Sequence, residues 1–385
     1  MRSINNAWRE VKLGSILRYL DARIKLDDEK EYLTITVKRR HGGLETRERH
    51  FGHQIVSKKQ FELVPDAFII SRVQCWHQAY AIVGQVPQNT IASANYDQFS
   101  VSPEVDLRFF WWLSHSPAFT ETIRSSAVGV VIEKMVFDRN EWLSKSIRLP
   151  PLSEQRRIVA RVDEIAAQIQ EARHLRKQVA EESNALCREI LACDRNAKPT
   201  PMRELVKLLP PDVVAQANET YPFAGVYCFG RGVFKAHDKS GMDFAYPRLT
   251  RLKTGNFVYP KLMAWEGAFG VVTPECDGCV VSTEFPVFKV VEDRVLPEVL
   301  DTYFRTPSVW PAIAGASTGT NVRRRRLNPS DFLDYKIPLP SMAVQLKLRA
   351  VRSQVDALKR LHAETAAELD ALMPAILDRA FKGEL

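Results

Sequence analysis

The feature of this sequence that most constrains its fold is an internal repeat with a period of about 190 residues. Trp76 begins a pattern of aromatic, small and branched residues that recurs from Trp265, at an offset of 189. One inserted residue then raises the offset to 190, at which Leu149-Pro150 matches Leu339-Pro340. This period is much longer than those of solenoid repeats, so it indicates two tandem copies of a domain.

Length and composition agree with two folded domains that bind a polyanion. The 385 residues are enough for two domains with separate cores, and 45% hydrophobic with 26% charged residues is ordinary for a folded soluble protein. The net charge of +8 favours an acidic partner such as nucleic acid. The sequence shows neither a signal peptide nor an apolar membrane segment, and its six cysteines are dispersed. A cytoplasmic location is expected.

Each copy has the same internal order, which predicts an α/β fold. Strand-like runs separated by turns come first, followed by a short helical stretch at 107–124 or 297–314. A proline-bounded junction then starts a long helix. The predicted divisions are domains at 1–148 and 196–338 and helices at 149–195 and 339–385. The aligned Trp76 and Trp265 are expected in the domain cores.

The two closing segments carry apolar residues at alternating spacings of three and four, which is typical of a coiled-coil seam. Arg176 and Ser183 interrupt the first stripe, and His362 and Thr365 leave a polar gap in the second. Residues 158–191 would form a rod of roughly 50 Å. Pairing of the two helices is favoured over packing of each helix on its own domain. The predicted interface residues are Ile158, Val162, Ile165, Ile169, Leu348, Val351, Val355 and Leu358.

Motifs that would indicate an enzyme or a metal site are absent or incomplete. The sequence contains no Gly-x-Gly-x-x-Gly and no phosphate-binding loop, and the glycine-rich segment 229–232 lacks a third glycine. Cys276 and Cys279 have the spacing of half a zinc site, but no second ligand pair lies at a suitable distance. A hairpin turn without metal is the better interpretation, and no catalytic residue is predicted.

With these features assembled, the chain resembles the specificity subunit of type I restriction-modification systems. In that family two target recognition domains are each followed by a helical region that begins Leu-Pro-Pro-Leu-x-Glu-Gln. Residues 149–155 reproduce this motif, whereas 339–345 keep the Leu, Pro and Gln but lose the acidic residue and the second proline. Residues 258–268 and 374–383 also resemble family segments. The resemblance covers essentially the whole chain and is weakest at 15–65, where the two copies align poorly.

The resemblance implies two target recognition domains joined by two long antiparallel helices in a pseudo-twofold-symmetric body. Each domain would read one half of a bipartite, asymmetric DNA site, and the helices would fix the spacing and dock two methyltransferase subunits. Translocating restriction subunits would complete the complex. S-adenosylmethionine would be bound by the methyltransferase, and this chain would hold no cofactor. A related system with a fused methyltransferase-nuclease partner, or a coiled-coil adaptor that does not bind DNA, remains an alternative.

The basic residues are the candidates for DNA contact. The run Arg323, Arg324, Arg325 and Arg326 follows a loop of small residues, and its counterpart in the first copy is not strongly basic. We therefore expect the run to contact phosphates, with one arginine possible at a guanine edge; a solvated surface run is the alternative. The remaining candidates are Lys38, Arg39, Arg40, Arg47 and Arg49 in the first copy, Arg248, Arg251 and Lys253 in the second, and the aligned pair Arg72 and Lys261.

Overall fold

The computed structural model of this chain describes residues 8–245, 247–317 and 325–385. These residues form two compact units. The first unit runs to His174 and also contains Thr365–Leu385, and the second unit is Leu175–Glu364. Each unit therefore combines one copy of the repeat with parts of the two helical segments that the sequence predicts as separate divisions.

Short strands and helices make up the first copy. Its helices before the closing segment are α1 (Leu13–Ile16), α2 (Leu107–Ser114), α3 (Pro117–Arg124) and α4 (Arg139–Ser144). Its strands are β1 (Arg9–Lys12), β2 (Leu17–Tyr19), β3 (Arg23–Ile24), β4 (Glu31–Val37), β5 (Leu44–Phe51), β6 (Gln60–Glu62), β7 (Phe68–Ser71), β8 (Tyr80–Ile82), β9 (Thr90–Ser93), β10 (Tyr96–Val101), β11 (Ala127–Val128), β12 (Val136–Phe137) and β13 (Ser146–Leu149).

The second copy follows the same order after the long helix α5 (Leu152–Ala192). Its short helices are α6 (Pro297–Phe304), α7 (Trp310–Ala316) and α8 (Pro329–Asp334). Its strands are β14 (Lys198–Pro201), β15 (Val206–Leu208), β16 (Val213–Val214), β17 (Thr220–Tyr221), β18 (Ala224–Tyr227), β19 (Gly232–Lys235), β20 (Lys239–Ser240), β21 (Arg248–Arg251), β22 (Phe257–Val258), β23 (Gly270–Val271), β24 (Val280–Ser282), β25 (Val287–Val290) and β26 (Lys336–Leu339).

The sheets of the first unit have counterparts in the second. An antiparallel four-stranded sheet has the order β2-β10-β7-β8 in the first unit and β15-β25-β22-β23 in the second. A second sheet has the order β3-β6-β9-β4-β5, with β4 and β9 parallel, and its counterpart is β16-β21-β24. The ladders β1-β13 and β14-β26 join the start of each copy to the strand before its closing helix.

Equivalent elements occur at the offsets that the sequence predicts. Strands β14 and β15 lie 189 residues after β1 and β2. Helices α6 and α8 and strand β26 lie 190 residues after α2, α4 and β13. The inserted residue therefore falls in the second copy, between strand β25 and helix α6. The predicted duplication of an α/β domain is confirmed.

A long hairpin extends the repeat into residues 15–65, where the sequences align poorly. In the first unit Glu31 of β4 lies opposite Phe51 of β5. In the second unit Thr220 of β17 lies opposite Ser240 of β20, and the same register continues through β18 and β19 at an offset of 189. Pro222 separates β17 from β18, because proline cannot donate to a strand ladder. The two copies thus differ here in side chains and not in backbone register.

Aromatic side chains from equivalent positions form the core against each four-stranded sheet. A ring on the helix before the closing strand contacts two rings of the sheet in each unit. Burial of each such ring contributes about 1.5–3 kcal/mol to stability. The three rings are Phe68, Phe99 and Trp142 in the first unit and Phe257, Phe288 and Phe332 in the second.

A buried glutamine fixes the start of each closing helix. Oε1 of Gln155 accepts a hydrogen bond from the Asp106 amide at 2.7 Å, and its Nε2 donates to the Pro150 carbonyl at 2.9 Å. Gln345 makes the corresponding bonds with residues 190 positions further along the chain. The amide therefore satisfies backbone groups that the proline-bounded junction leaves unpaired. This is the structural reason for the repeated glutamine of the junction motif.

The repeated tryptophans do not lie where the sequence predicts. Trp76 and Trp265 occupy short 3-10 turns, Cys75–His77 and Ala264–Glu266, and both are only half-buried. The guanidinium of Arg124 lies 5.6 Å from the Trp76 ring centre, a cation–π distance. The expectation of domain-core positions is wrong, because the preceding strand ends before each tryptophan and the chain turns at a left-handed residue after it.

The closing segments form one continuous helix and one interrupted helix. The first, α5, has 41 residues. The second consists of α9 (Met342–Glu364) and α10 (Ala366–Lys382), separated at Thr365, whose φ of −95° and ψ of 4° lie outside the helical region. The second long segment is thus helical with an interruption of one residue, which coincides with the polar gap at His362 and Thr365. Among the described residues, no helix combines the length and apolar character needed to cross a membrane.

In the first unit the start of α5 packs with α10. Ile158 is buried in the same core cluster as Leu377 and the domain residue Phe109, and Arg173 pairs with Asp370 at 2.8 Å. The helices thus pack on the domain as well as on each other. The predicted interface residues of this half are buried or half-buried: Ile158, Val162, Ile165 and Ile169.

In the second unit the end of α5 packs with α9. Leu348 is buried in one cluster with Cys187 and Ile190. Nη1 of Arg176 donates to the His362 carbonyl at 3.4 Å, near the end of α9, where helix carbonyls lose their internal partners. The predicted residues of this half are likewise buried or half-buried: Leu348, Val351, Val355 and Leu358.

Candidate nucleic-acid interface

The tips of the two equivalent hairpins share an unusual backbone. Arg40 and His41 both have a φ of 55°, and their counterparts Phe229 and Gly230 have φ values of 60° and 67°. Left-handed conformations cost energy for residues other than glycine, so they persist only where the surroundings enforce them. Here the Arg40 amide donates to the His77 carbonyl at 2.8 Å, and the equivalent bond recurs in the second unit. Each tip is therefore anchored to the 3-10 turn that carries the repeated tryptophan.

The first hairpin exposes a group of unpaired cations. Lys38 pairs with Glu45 at 2.8 Å. Strand β5 is exposed along most of its length, and no acidic partner lies within ion-pair distance of the other four cations among the described residues. Such a surface attracts a polyanion. These four cations, all predicted from the sequence as DNA contacts, are Arg39, Arg40, Arg47 and Arg49.

A groove of about 830 Å³ with both polar and apolar lining lies beside this hairpin and includes polar side chains that the sequence pattern does not single out. Asn95 is exposed, and its side-chain amide makes no hydrogen bond within the described part of the chain. Oε1 of Gln74 is buried without a partner. A buried acceptor that is left unpaired is costly, so it marks a place where a ligand group would be favourable. The polar lining includes Arg39, Arg47, Gln60, Gln74, Ser93 and Asn95.

The second hairpin carries aromatic residues in the corresponding place. The rings of Tyr227 and Phe234 are stacked with centres 3.8 Å apart, and the Arg231 guanidinium lies 4.4 Å from the Tyr227 ring centre. Phe229 at the tip is 65% exposed, which is unusual for so large an apolar ring. An anchored hairpin that displays an aromatic stack with a cation against it offers a surface for stacking and for a specific contact. The glycine-rich segment 229–232 is thus a hairpin turn.

The basic residues predicted for the second copy lie on a different element from those of the first. Arg248 and Arg251 are exposed on β21, whose counterpart is β6 and not the hairpin. Nη1 of Arg251 donates to the Gly278 carbonyl at 3.1 Å. Lys253 is exposed in the loop that follows β21. The candidates of the two copies therefore lie on different elements, and on the second hairpin Tyr227 and Phe229 stand where the first has Lys38 and Arg40.

The aligned pair Arg72 and Lys261 has equivalent backbone contacts but different charge surroundings. In both units the amide of this residue donates to the turn before the last sheet strand. Arg72 is exposed, whereas Nζ of Lys261 lies 3.9 Å from Glu284. Glu284 also pairs with Arg326 at 2.5 Å. The positive charge of the second copy is thus partly neutralised at this site. Of the predicted arginine run, Arg325 is half-buried, and Arg323 and Arg324 lie outside the described residues.

Two histidines support the tip of the first hairpin. The ring of His41 stacks on that of His115 at 4.1 Å and meets the Tyr80 ring edge-on at 5.0 Å. Burial, together with the neighbouring His115, lowers the pKa of His41 to about 3. Burial also lowers the pKa of His115. Both rings are therefore neutral at neutral pH and act as packing groups.

The described residues contain no cluster of His, Cys, Asp and Glu that could hold a metal ion. Cys276 and Cys279 are buried beside a 3-10 turn, Pro274–Cys276, and burial raises the pKa of both thiols. Apolar surroundings disfavour the thiolate form that a metal requires. Their burial is explained by the core cluster that contains both side chains.

Comparison with known proteins gives structural neighbours only. No family model matches the sequence, and no curated protein matches it. The HsdS subunit from Thermoanaerobacter tengcongensis is 21% identical, with all of both chains covered and a TM-score of 0.55. A chain from a study of complex assembly and conformational transition of a type I restriction-modification system is 20% identical over 99% of both chains, with a TM-score of 0.68. The chain therefore has the fold of type I restriction-modification specificity subunits.

Proposed function

We propose that this chain is the DNA sequence-specificity subunit of a type I restriction-modification complex and recognises a bipartite, asymmetric DNA site. The observation that carries this proposal is the pair of equivalent hairpins. They share register, tip conformation and anchoring bonds, yet one displays arginines and the other an aromatic stack. Two copies of one scaffold with different exposed chemistry are suited to reading two different half-sites.

The charge distribution supports DNA as the ligand. The exposed arginines of the first hairpin lack acidic partners among the described residues, and the net charge of the chain is +8. Binding through such cations releases condensed counterions, so the affinity would fall steeply with salt concentration. The candidate DNA contacts remain those predicted from the sequence, with Lys261 and Arg326 weakened by their shared pairing to Glu284.

The proposed role is recognition without catalysis by this chain. Methyl transfer would belong to two partner methyltransferase subunits, which bind S-adenosylmethionine, and cleavage to translocating restriction subunits. Acting on DNA in such a complex implies a cytoplasmic location. A related system in which one partner combines methyltransferase and nuclease would use the chain in the same way.

We further propose that the long helices set the distance between the half-sites. Helix α5 has 41 residues, which corresponds to a length of about 60 Å. Equivalent major-groove positions on B-DNA repeat about every 34–36 Å, so the helix has a suitable length for a spacer of one to two turns. Insertion of whole heptads into α5 should lengthen the spacer and leave both half-site sequences unchanged.

The test is selection of binding sites from randomised duplex DNA by this chain in complex with its methyltransferase partner. Two short enriched blocks separated by a constant unspecified gap are expected. A single contiguous block would contradict the bipartite assignment. An absence of enrichment, with weak binding to all sequences, would replace the proposal with that of an adaptor that does not read DNA.

A further inference from the structure

Several polar side chains that line the groove of the first unit have apolar counterparts in the second. At an offset of 189, Arg39 corresponds to Cys228 and Arg47 to Ala236. Gln74 corresponds to Met263, so the amide at the floor of the groove becomes a thioether. Because the hairpin register is the same in both units, these replacements change the hydrogen-bonding capacity at equivalent backbone positions. The groove is therefore a local property of the first copy and not a requirement of the fold.

The position of Asn95 shows the same contrast. In the first unit this residue is exposed at the groove, and its side chain is free of hydrogen bonds to other described residues. Its counterpart in the second unit is Glu284, which holds Lys261 and Arg326. This position thus carries a side-chain amide without a partner among the described residues in the first copy, and an ion-paired carboxylate in the second. An available amide can donate and accept at the same time.

We propose that the first copy reads its half-site through Arg39, Arg47 and Asn95, the arginines at guanine and the asparagine at adenine. This rests on the proposed function and deepens it by naming specificity-determining residues. The B-DNA major groove admits a two-stranded β-ribbon, and the part of the β4–β5 hairpin beyond Thr34, where β4 no longer pairs with β9, forms such a ribbon with an exposed outer strand.

The assignment of bases follows from donor and acceptor chemistry. A guanidinium only donates, and the guanine edge presents the acceptors O6 and N7. A carboxamide donates through its nitrogen and accepts through its oxygen, which matches N7 and the N6 amino group of adenine. Asn95 lines the same groove as Arg39 and Arg47, so the bases they contact belong to one half-site.

The experiment compares the parent complex with Asn95→Ala and Arg39→Ala complexes, with Cys228→Ala as the matched control in the second copy. Each complex is used for selection from randomised duplex DNA. Asn95→Ala should lose preference at one adenine of the first block by about 10- to 100-fold. Arg39→Ala should lose preference at one guanine. The second block should stay unchanged in both variants, which also verifies that the proteins fold, and Cys228→Ala should retain the first block.

Base analogues separate base reading from phosphate contact. Replacing the assigned adenine by 7-deazaadenine removes the N7 acceptor, so it should weaken binding by the parent complex and have no further effect on Asn95→Ala. If the variants bind every sequence more weakly and keep the first block, the residues contact the backbone and the proposal is overturned. The same conclusion follows if the parent selects two blocks and the variants select the same two. If the parent selects no bipartite site, the proposed function itself fails.

Discussion

The hairpin formed by β4 and β5 and its counterpart in the second copy share a backbone and almost none of their exposed chemistry. Both tips turn through left-handed residues, and each attaches to the equivalent 3-10 turn of its own unit. Tyr32 and Tyr221 accept equivalent backbone hydrogen bonds, from Asp27 at 3.0 Å and from Gln216 at 2.9 Å. A few anchored positions thus suffice to fix the register. The side chains at the remaining positions can vary without disturbing the backbone. The two copies therefore conserve a scaffold and vary a surface.

The largest difference between the copies is expected from a buried ion pair of the second unit, whose two positions carry Trp111 and Val162 in the first copy. Asp301 on α6 is 7% exposed and pairs with Arg352 at 2.8 Å and with Arg305 at 3.0 Å. Replacing Asp301 by Ala removes the 2.8 Å carboxylate partner of the buried Arg352, whose remaining ion pair with Asp356 is 4.0 Å long, and should destabilise the second unit by about 3–5 kcal/mol. The exposed pair partner Asp370 of the first unit is the control, and Asp370→Ala should cost about 1 kcal/mol or less.

Amide hydrogen exchange reports the stability of each unit separately, so it measures the losses caused by Asp301→Ala and by Asp370→Ala. Burial opposes ionisation of Asp301, but Arg305 and Arg352 outweigh it and hold the pKa of its carboxyl below the ordinary 3.8. Its stabilising contribution is therefore present above that pH and is lost as the pH falls below it. Equal losses of protection from Asp301→Ala and Asp370→Ala would show that the buried ion pair contributes no more to stability than the exposed one.

The paired glutamines should behave alike, in contrast to the ion pair. Gln155→Ala and Gln345→Ala each leave buried backbone groups without partners, so each should destabilise its own unit by about 1–3 kcal/mol. Denaturant unfolding followed by hydrogen exchange at the starts of α5 and α9 would measure the two losses. A loss in only one unit would mean that the junctions are not energetically equivalent despite their identical bonding.

Removing the charge of Glu284 should make the second copy more like the first. Glu284→Gln releases Lys261 and Arg326, so affinity for random duplex should rise several-fold and the salt dependence should steepen by about one phosphate contact. Titration of labelled duplex at several salt concentrations gives both quantities. Glu181→Gln, on the exposed face of α5, removes the same charge away from this site and should have a smaller effect. Identical effects of the two variants would mean that net charge, and not the release of Lys261 and Arg326, causes the increase in affinity.

The smallest expected effect is a pH dependence confined to the first hairpin. Because burial lowers the folded pKa of His41 to about 3 from an ordinary 6.5, its packing stabilises the tip above pH 6.5 and weakens as the pH falls. Exchange of the Arg40 amide, corrected for intrinsic rates, should increase on acidification more than that of Phe229, whose neighbour is Gly230. His41→Asn tolerates the left-handed backbone and should remove the difference. If amide exchange at both tips increased equally on acidification, protonation of His41 would be excluded as the cause.

Sequence reasoning recovers what depends on periodicity and offset. The duplication, the junctions at Leu149 and Leu339 and the strands around Phe68 and Phe257 are all found in the structure. Periodicity also locates the polar gap, but a spacing pattern alone does not reveal that the helix stops at Thr365. A polar residue within the apolar stripe is compatible both with a continuous coiled-coil helix and with an interrupted one, so the spacing does not distinguish the two.

The hairpins and the groove are missed because their signal is sparse. In these segments few residues coincide at the offset of 189, among them the two tyrosines and the pairs Gly43/Gly232 and Gly52/Gly241. These are the positions that backbone geometry requires, since Gly43 and Gly232 have φ values of 82° and 85°. Asn95 has no recognisable pattern at all, because its availability depends on what surrounds it in space. Charge alone also cannot indicate that Arg326 is held by Glu284.

The contribution of Thr365–Leu385 to the first unit also bears on the order of folding during synthesis. These residues supply Leu377 and Ala380 to the core that contains Phe109 and Ile158. They leave the ribosome after all of Leu175–Glu364, which forms the second unit without interruption. Domains generally fold as they emerge, starting from the N-terminus, but here the unit that begins first is completed last. The nascent chain would therefore carry an open first core until its final helix is released.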